Sequence, residues 1–382
     1  MNYLSTKYKS TKNKSTKNKS TKNKEQKTNQ QSTNQQRTNQ QINKFSPSPP
    51  NFSLLPFNFL LGSFNLALLT SNLALLPPMD FTFKTYEKLL NTLLTRGFSF
   101  ITFAQYMELK TESENNPSQP FSNLKPRTPN AEPPTHQQIN KEQINNFESL
   151  NPESLNLIIL RHDVEARYPN ALRMAQIQHK LGIKGSYYFR IFSKPCNETI
   201  IKQIASLGHE IGYHYDDLSV CNGNHQKALE RFRKNLAYLR QFAPVQTICM
   251  EGAPESKYNN QDLWKKYDYR DFGITSEPYF DLDFNKVYYL TDTGRRWDGK
   301  FSVRDKPIFK DEHLRNERVS DEFRYRHTKD IIKAIEKSSF PDSAMLTFHP
   351  QRWNDKPLPW LKELLWQNVK NQVKRIIIKR GN

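Results

Sequence analysis

Asn156–Arg167 reads NLIILRHDVEAR, and the fold is decided by how this stretch is read. Four consecutive apolar residues, Leu157 to Leu160, include the β-branched pair Ile158 and Ile159 and predict a strand buried on both faces. That strand runs straight into Arg161, His162, Asp163 and Glu165. Parallel sheets bind ligands beyond the carboxyl ends of their strands, so ionisable groups at this point are placed for chemistry. Asp163 and Glu165 flank Val164, which puts both carboxylates on the same side of an extended chain. Such a pair can share a cation, or one member can bind a metal while the other takes a proton.

Downstream, strand and helix patterns alternate. The expected strands are 157–160, 185–189, 210–213, 247–250, 272–275, 287–290 and 345–348; the expected helices are 169–181, 197–207, 226–242, 260–267 and 328–337. Upstream, Tyr86, Leu89, Leu90, Leu93 and Leu94 recur at helical spacing up to Gly97, and a short strand follows at 99–103. This alternation predicts an α/β fold whose parallel strands, about seven of them, roll into a closed or nearly closed barrel. A C-terminal helix from Pro359 to about Ile378 is expected to pack on that barrel with its basic face in solvent.

Two further strand ends carry histidine. In GHEIGYHYDDLS, Gly208–Ser219, His209 and His214 stand five apart and face opposite ways on a strand, and His214, followed by Asp216 and Asp217, is the better metal ligand. In LTFHPQRW, His349 ends a strand and Pro350 turns the chain at once, aiming the imidazole at the barrel mouth. A fourth cluster, YLTDTGRRWDGKFSVRDK from Tyr289 to Lys306, offers Arg295, Arg296 and Trp297 for binding a sugar ring or an anion.

The flanks read differently. Residues 1–50 carry a tandem STKNK repeat and a net charge of +10 out of the +19 of the 382-residue chain, a polar tract too poor in apolar residues to fold. The excess positive charge therefore belongs mainly to a disordered tail and is not read as a nucleic-acid surface. Residues 51–78 form an uncharged apolar repeat in which 52–76 is long enough to span a bilayer, so membrane association follows only if this is a real anchor. Residues 111–154, rich in Pro, Asn, Gln and Ser, read as a flexible surface insertion. Cys196, Cys221 and Cys249 show no CxxC spacing, which favours a reducing, cytoplasmic setting over a disulfide framework; the alternative is a membrane-anchored protein with the barrel outside the cytoplasm.

The segments RHDVE, GHEIGYHYDD, YDYRDFGI, YLTDTGRRWD and HPQRW resemble the polysaccharide deacetylase family, the carbohydrate esterases with a NodB homology domain, and more closely a bacterial branch of it. The likeness spans about Met79 to Lys379. It implies a distorted (β/α)7 barrel that removes acetyl groups from N-acetylated sugars with a divalent metal, zinc or another transition metal. It also implies Asp163 as general base, Glu165 and His214 as metal ligands and His349 as the group protonating the departing amine. Arg161, two residues before Asp163, is expected to hold it ionised through charge proximity. The family's second metal-binding histidine falls on Leu218, so Asp216 or Asp217 is expected to replace it, with Asp217 taken as the ligand. Glu165 stands where the branch commonly has aspartate, and Glu251 of MEGAP where relatives often have histidine. The substrate is expected to be a carbohydrate or a small amide; the alternative is a carbohydrate-binding pseudoenzyme that lost its metal site with that histidine.

The resemblance begins at Met79, at the foot of two adjacent repeats of different period, so translation is expected to start there. Mass spectrometry of the native protein should find its first peptide at Met79; any peptide from 1–78 would overturn that start site.

Overall fold

All eight residues of strand β2 (Leu157–Val164) are buried. The strand is longer than the apolar run because Arg161, His162 and Asp163 stay in the ladder instead of ending it. The structure, a computed structural model, describes residues 79–115, 156–191, 197–300, 302 and 325–380, all within one compact unit, Pro77–Asn382. The expected repeats at 1–50 and 51–78 and most of the 111–154 insertion lie outside the described residues.

β2 is the hub of a seven-stranded sheet in which every described pairing is parallel. Its first half pairs with β1 (Ser99–Ile101), its second half with β3 (Ser186–Phe189), and its other edge with β7 (Ser343–Phe348). The sheet continues through β4 (Glu210–Tyr215) to β5 (Ile248–Met250) on one side and through β7 to β6 (Tyr288–Thr291) on the other, giving the order β5-β4-β3-β2-β7-β6. The connecting helices are α1 (Phe83–Thr95), α2 (Phe103–Asn115), α3 (Tyr168–Lys180), α4 (Glu198–Ser206), α5 (Asp217–Val220), α6 (His225–Leu239), α7 (Pro278–Asp281), α8 (Thr328–Glu336) and α9 (Pro357–Arg380). The result is a distorted parallel (β/α) barrel, curled but open between β6 and the far side of β5.

Period-two alternation along β2 assigns its side chains. Leu157 and Ile159 join an apolar cluster with Tyr188 and Met345, while Ile158 and Leu160 join another with Tyr86, Leu89, Leu346 and Phe348. Each of these four buried aliphatic side chains contributes about 1.5–3 kcal/mol. Arg161 and Asp163 continue the first face into the barrel, and His162 continues the second, outward face. His162 stacks on Tyr187 and Phe348, with Tyr86 Oη 2.9 Å from its Nε2 and the Ser186 carbonyl 3.2 Å from Nδ1. Burial holds its pKa down at about 3, so it is a neutral structural group.

Two expected elements differ. The strand expected at 272–275 is reduced to a single Thr247–Ser276 bridge, because residues 269–272 coil into a 3₁₀ turn that ends on Gly273 at φ 66°. The helix expected at 260–267 is likewise a 3₁₀ turn, Asn260–Lys265. At the C-terminus, α9 docks with a mostly polar face: Glu363, Gln367 and Asn371 are buried beside Trp360, while Leu358, Leu365, Trp366 and Val369 are exposed. No helix among the described residues is long and apolar enough to cross a membrane.

Gly212 shows how tightly the barrel is filled. A Cβ there would collide with the ring of Tyr188, whose hydroxyl bonds Thr247 Oγ1 at 3.0 Å. Gly212→Ala should therefore cost about 1–3 kcal/mol, read as a lower urea midpoint. An unchanged midpoint would mean that Tyr188 has room to move.

Candidate active site

The carboxyl ends of β2, β4, β5 and β7 converge on one cavity of about 320 Å³. Asp163 enters from β2, and its two oxygens accept from Arg161 Nε at 2.9 Å and Nη2 at 2.7 Å. Arg161 Nη1 also reaches the hydroxyls of Tyr279 at 3.1 Å and Tyr289 at 3.4 Å. The pair is almost fully buried, and the fork-to-carboxylate geometry holds Asp163 in one orientation.

His349 follows β7. Its Nδ1 lies 2.7 Å from Asp292 Oδ1, and its main-chain N–H donates to Asp292 Oδ2 at 3.0 Å. That contact places the proton of the neutral ring on Nδ1 and turns Nε2 to the cavity, 4.0 Å from Asp163 and 3.5 Å from Glu165. Asp292 also accepts from Arg352 Nη1 and Trp353 Nε1. Burial alone would raise the Asp292 pKa, but Arg352 and His349 outweigh it and hold the group at about 2.

His214, on β4, lies with Nδ1 3.0 Å from the Cys249 carbonyl and Nε2 3.3 Å from Glu251 Oε2. Burial opposes a charge on this ring, yet the carboxylates of Asp163, Glu251 and Glu165 raise its pKa above the ordinary histidine value. Glu251 moves the other way: burial raises it, but His214 and Arg190 prevail and keep it ionised. Glu165 is held above the usual carboxylate range by burial and by repulsion from Glu251.

Two sets of donor atoms have metal-ligand spacing among the described residues: Glu165, His214 and Glu251, and Asp163, His214 and Cys249, each set lying within 4.8 Å. The first opens on the cavity and supplies two carboxylates and an imidazole, a donor set that fits a divalent cation. In the second, Asp163 is already engaged by Arg161 at both oxygens.

The structure thus brings together Arg161, Asp163, Glu165, His214 and His349. It does not bring Asp217 to them. Beyond β4 the chain turns into α5, which points Asp217 away from the cavity, where it accepts from Tyr213 Oη at 2.8 Å and Arg231 Nη1 at 2.6 Å; burial raises its pKa to about 7. Neighbouring Leu218 is core. The substrate-binding candidates are not in the cavity wall either. Arg295 lies over Phe81 and Trp360 and donates to the Arg352 carbonyl, Trp297 is buried with Nε1 on Thr328 Oγ1, and Arg296 pairs with Asp298. Trp297 fixes the loop to α8 and Arg295 fixes it to α9, while the Arg296 pair lies within the loop itself. The groups that sequence reasoning missed are Asp292, Arg190 and Arg352, together with the part played by Glu251. Asp292 sits inside the YLTDTGRRWD segment and Glu251 at the marked departure in MEGAP, so a signal existed for both.

No protein-family model and no curated protein matches the chain. Among solved structures, the chain is similar to a CE4-family pseudoenzyme from Bacillus anthracis at 13% identity, over 60% of this chain and 67% of that one, with a TM-score of 0.34. It is also similar to the CE4 domain of a multidomain xylanase from the hindgut metagenome of Trinervitermes trinervoides, at 13% identity over 59% and 90%, TM-score 0.30. A peptidoglycan N-acetylglucosamine deacetylase matches at 16% identity over 57% and 85%, with the same TM-score of 0.30.

Asp292→Asn removes the anion that balances buried Arg352 and orients His349, and should cost about 3–5 kcal/mol at pH 7. Because the folded pKa is depressed, this contribution is present above the ordinary value of 3.8 and lost as the pH falls through about 2. Denaturation of both proteins from pH 7 to pH 2 should show the gap narrowing by about 2 kcal/mol; a gap independent of pH would remove the charge from its cause.

Proposed function

We propose that this barrel hydrolyses an amide bond, removing an acetyl group from an N-acetylated sugar or polysaccharide. The observation that carries the reading is the facing of Asp163 Oδ2 and His349 Nε2 at 4.0 Å, each held by its own buried partner, beside cation ligands in one cavity. Asp163, held in one orientation by Arg161, is the base that takes the proton of the attacking water. His349 protonates the departing nitrogen through Nε2, and Asp292 on Nδ1 stabilises the imidazolium from which that proton leaves. Glu165 and His214, with a further carboxylate, would hold a divalent metal, and the chemistry it would supply there is Lewis-acid polarisation of the acyl carbonyl and a lower pKa for water. The sugar as substrate rests on the motif resemblance.

One observation favours a second reading, a carbohydrate-binding barrel without turnover. Arg190 Nη1 lies 3.4 Å from Glu251 Oε2 and supplies positive charge where a metal would otherwise do so.

The test is acetate release from N-acetylglucosamine oligomers and polymers by wild type and Asp163→Asn. The variant should keep its circular dichroism spectrum and lose about 10²–10⁴-fold in rate. An equal rate would remove Asp163 from the mechanism, and a wild type that binds the oligomers without releasing acetate would establish the second reading.

A further inference from the structure

We propose that Glu251, at the end of β5, is the third protein ligand of the divalent-metal site formed with Glu165 and His214. It supplies a third donor where the sequence lacks a second histidine at 218, and it makes the donor set two carboxylates and one imidazole. The inference rests on the hydrolase reading for its purpose and on donor geometry for its substance.

The imidazole is already set for coordination. With Nδ1 at the Cys249 carbonyl, Nε2 is the ring atom that faces Glu251 and the cavity, and it becomes a metal donor when an incoming cation displaces its proton. Glu251 is fixed at its backbone as well: its N–H donates to the Tyr215 carbonyl at 2.8 Å, and its own carbonyl accepts from Asn260 Nδ2 at 2.7 Å. Its Oε1 accepts from the Ala253 N–H at 3.0 Å, which leaves Oε2 turned towards His214 and the cavity. Glu165 completes a set whose three donor atoms lie within 4.8 Å.

The alternatives offered by the sequence are committed elsewhere. Leu218 is 1% exposed in the core, Asp216 is paired to Arg190 and Arg231, and Asp217 is paired to Arg231. Arg190 is anchored by Asp216 at 2.6 Å and reaches Glu251 Oε2 at 3.4 Å. A carboxylate oxygen has two lone-pair positions, so the guanidinium can offset the charge of the second carboxylate and still leave a position for the metal.

The donor set has a consequence for selectivity. Imidazole suits zinc, whereas carboxylate suits harder ions such as manganese. Zinc should still bind more tightly in absolute terms, but by a smaller margin than at a site with two imidazoles.

Isothermal titration calorimetry with MnCl₂ and with ZnCl₂ tests this on wild type, Glu251→Gln, Glu251→His and His214→Ala. Glutamine keeps an oxygen for the Ala253 N–H, so the turn should survive, and it should weaken both metals roughly 10–100-fold. Histidine should recover zinc but not manganese, widening the zinc-over-manganese ratio by about tenfold. If Glu251→Gln binds both metals like wild type while His214→Ala loses them, Glu251 is not a ligand and the hydrolase reading stands. If wild type binds neither ion, the inference and the metal-assisted hydrolase fall together.

Discussion

A charged pair buried at the centre of the sheet constrains everything around it. Arg161 and Asp163 are 1% and 2% exposed, and withdrawing each ion from water costs several kcal/mol. The arrangement is tolerable only because two N–H groups meet both carboxylate oxygens and the Tyr279 and Tyr289 hydroxyls meet the rest of the guanidinium. Those tyrosines come from either side of the opening in the barrel, so the arginine ties together edges that no described strand pairing joins. Register then does the rest: a shift of one residue along β2 would send Arg161 and Asp163 outward into the helices and bring His162 into the cavity.

The same economy recurs around the cavity. Asp163 has Arg161, His349 has Asp292, His214 has the Cys249 carbonyl, and Glu251 has Arg190. His349, His214 and Glu251 each meet the cavity through one atom while another is tied to a fixed partner, Glu251 keeping Oε1 on the Ala253 N–H, and Asp163 is held by Arg161 at both oxygens. That is the preorganisation that acid–base chemistry needs, since no side chain must reorient as charge develops. Asp292 is the most heavily used of these supports. It takes hydrogen bonds from His349, Arg352 and Trp353 at once, which ties the β6 end to the HPQRW segment.

The parts of this arrangement visible in the sequence are those governed by periodicity. An apolar run that ends in RHDVE, with histidines at two later strand ends, was enough to place Asp163, Glu165, His214 and His349 on one face of a parallel barrel. Choosing among neighbouring acids was not possible in the same way. Asp217 lies three residues beyond His214, yet a single helical turn removes it from the cavity; Glu251 is thirty-seven residues beyond and arrives through the pairing of β4 with β5. Arg295 and Trp297 misled for a related reason, because an aromatic beside a cation looks the same whether it awaits a ligand or packs on α9. The direction of α9 was also hidden, since its inner face is chosen by the polar cavity it walls and not by its apolar residues.

The most direct measurement is anomalous diffraction from crystals grown with MnCl₂. A single manganese peak bounded by Glu165, His214 and Glu251 and lying beside Asp163 is the expected result. A map without that peak, with Arg190 remaining on Glu251, would contradict a metal-assisted hydrolase.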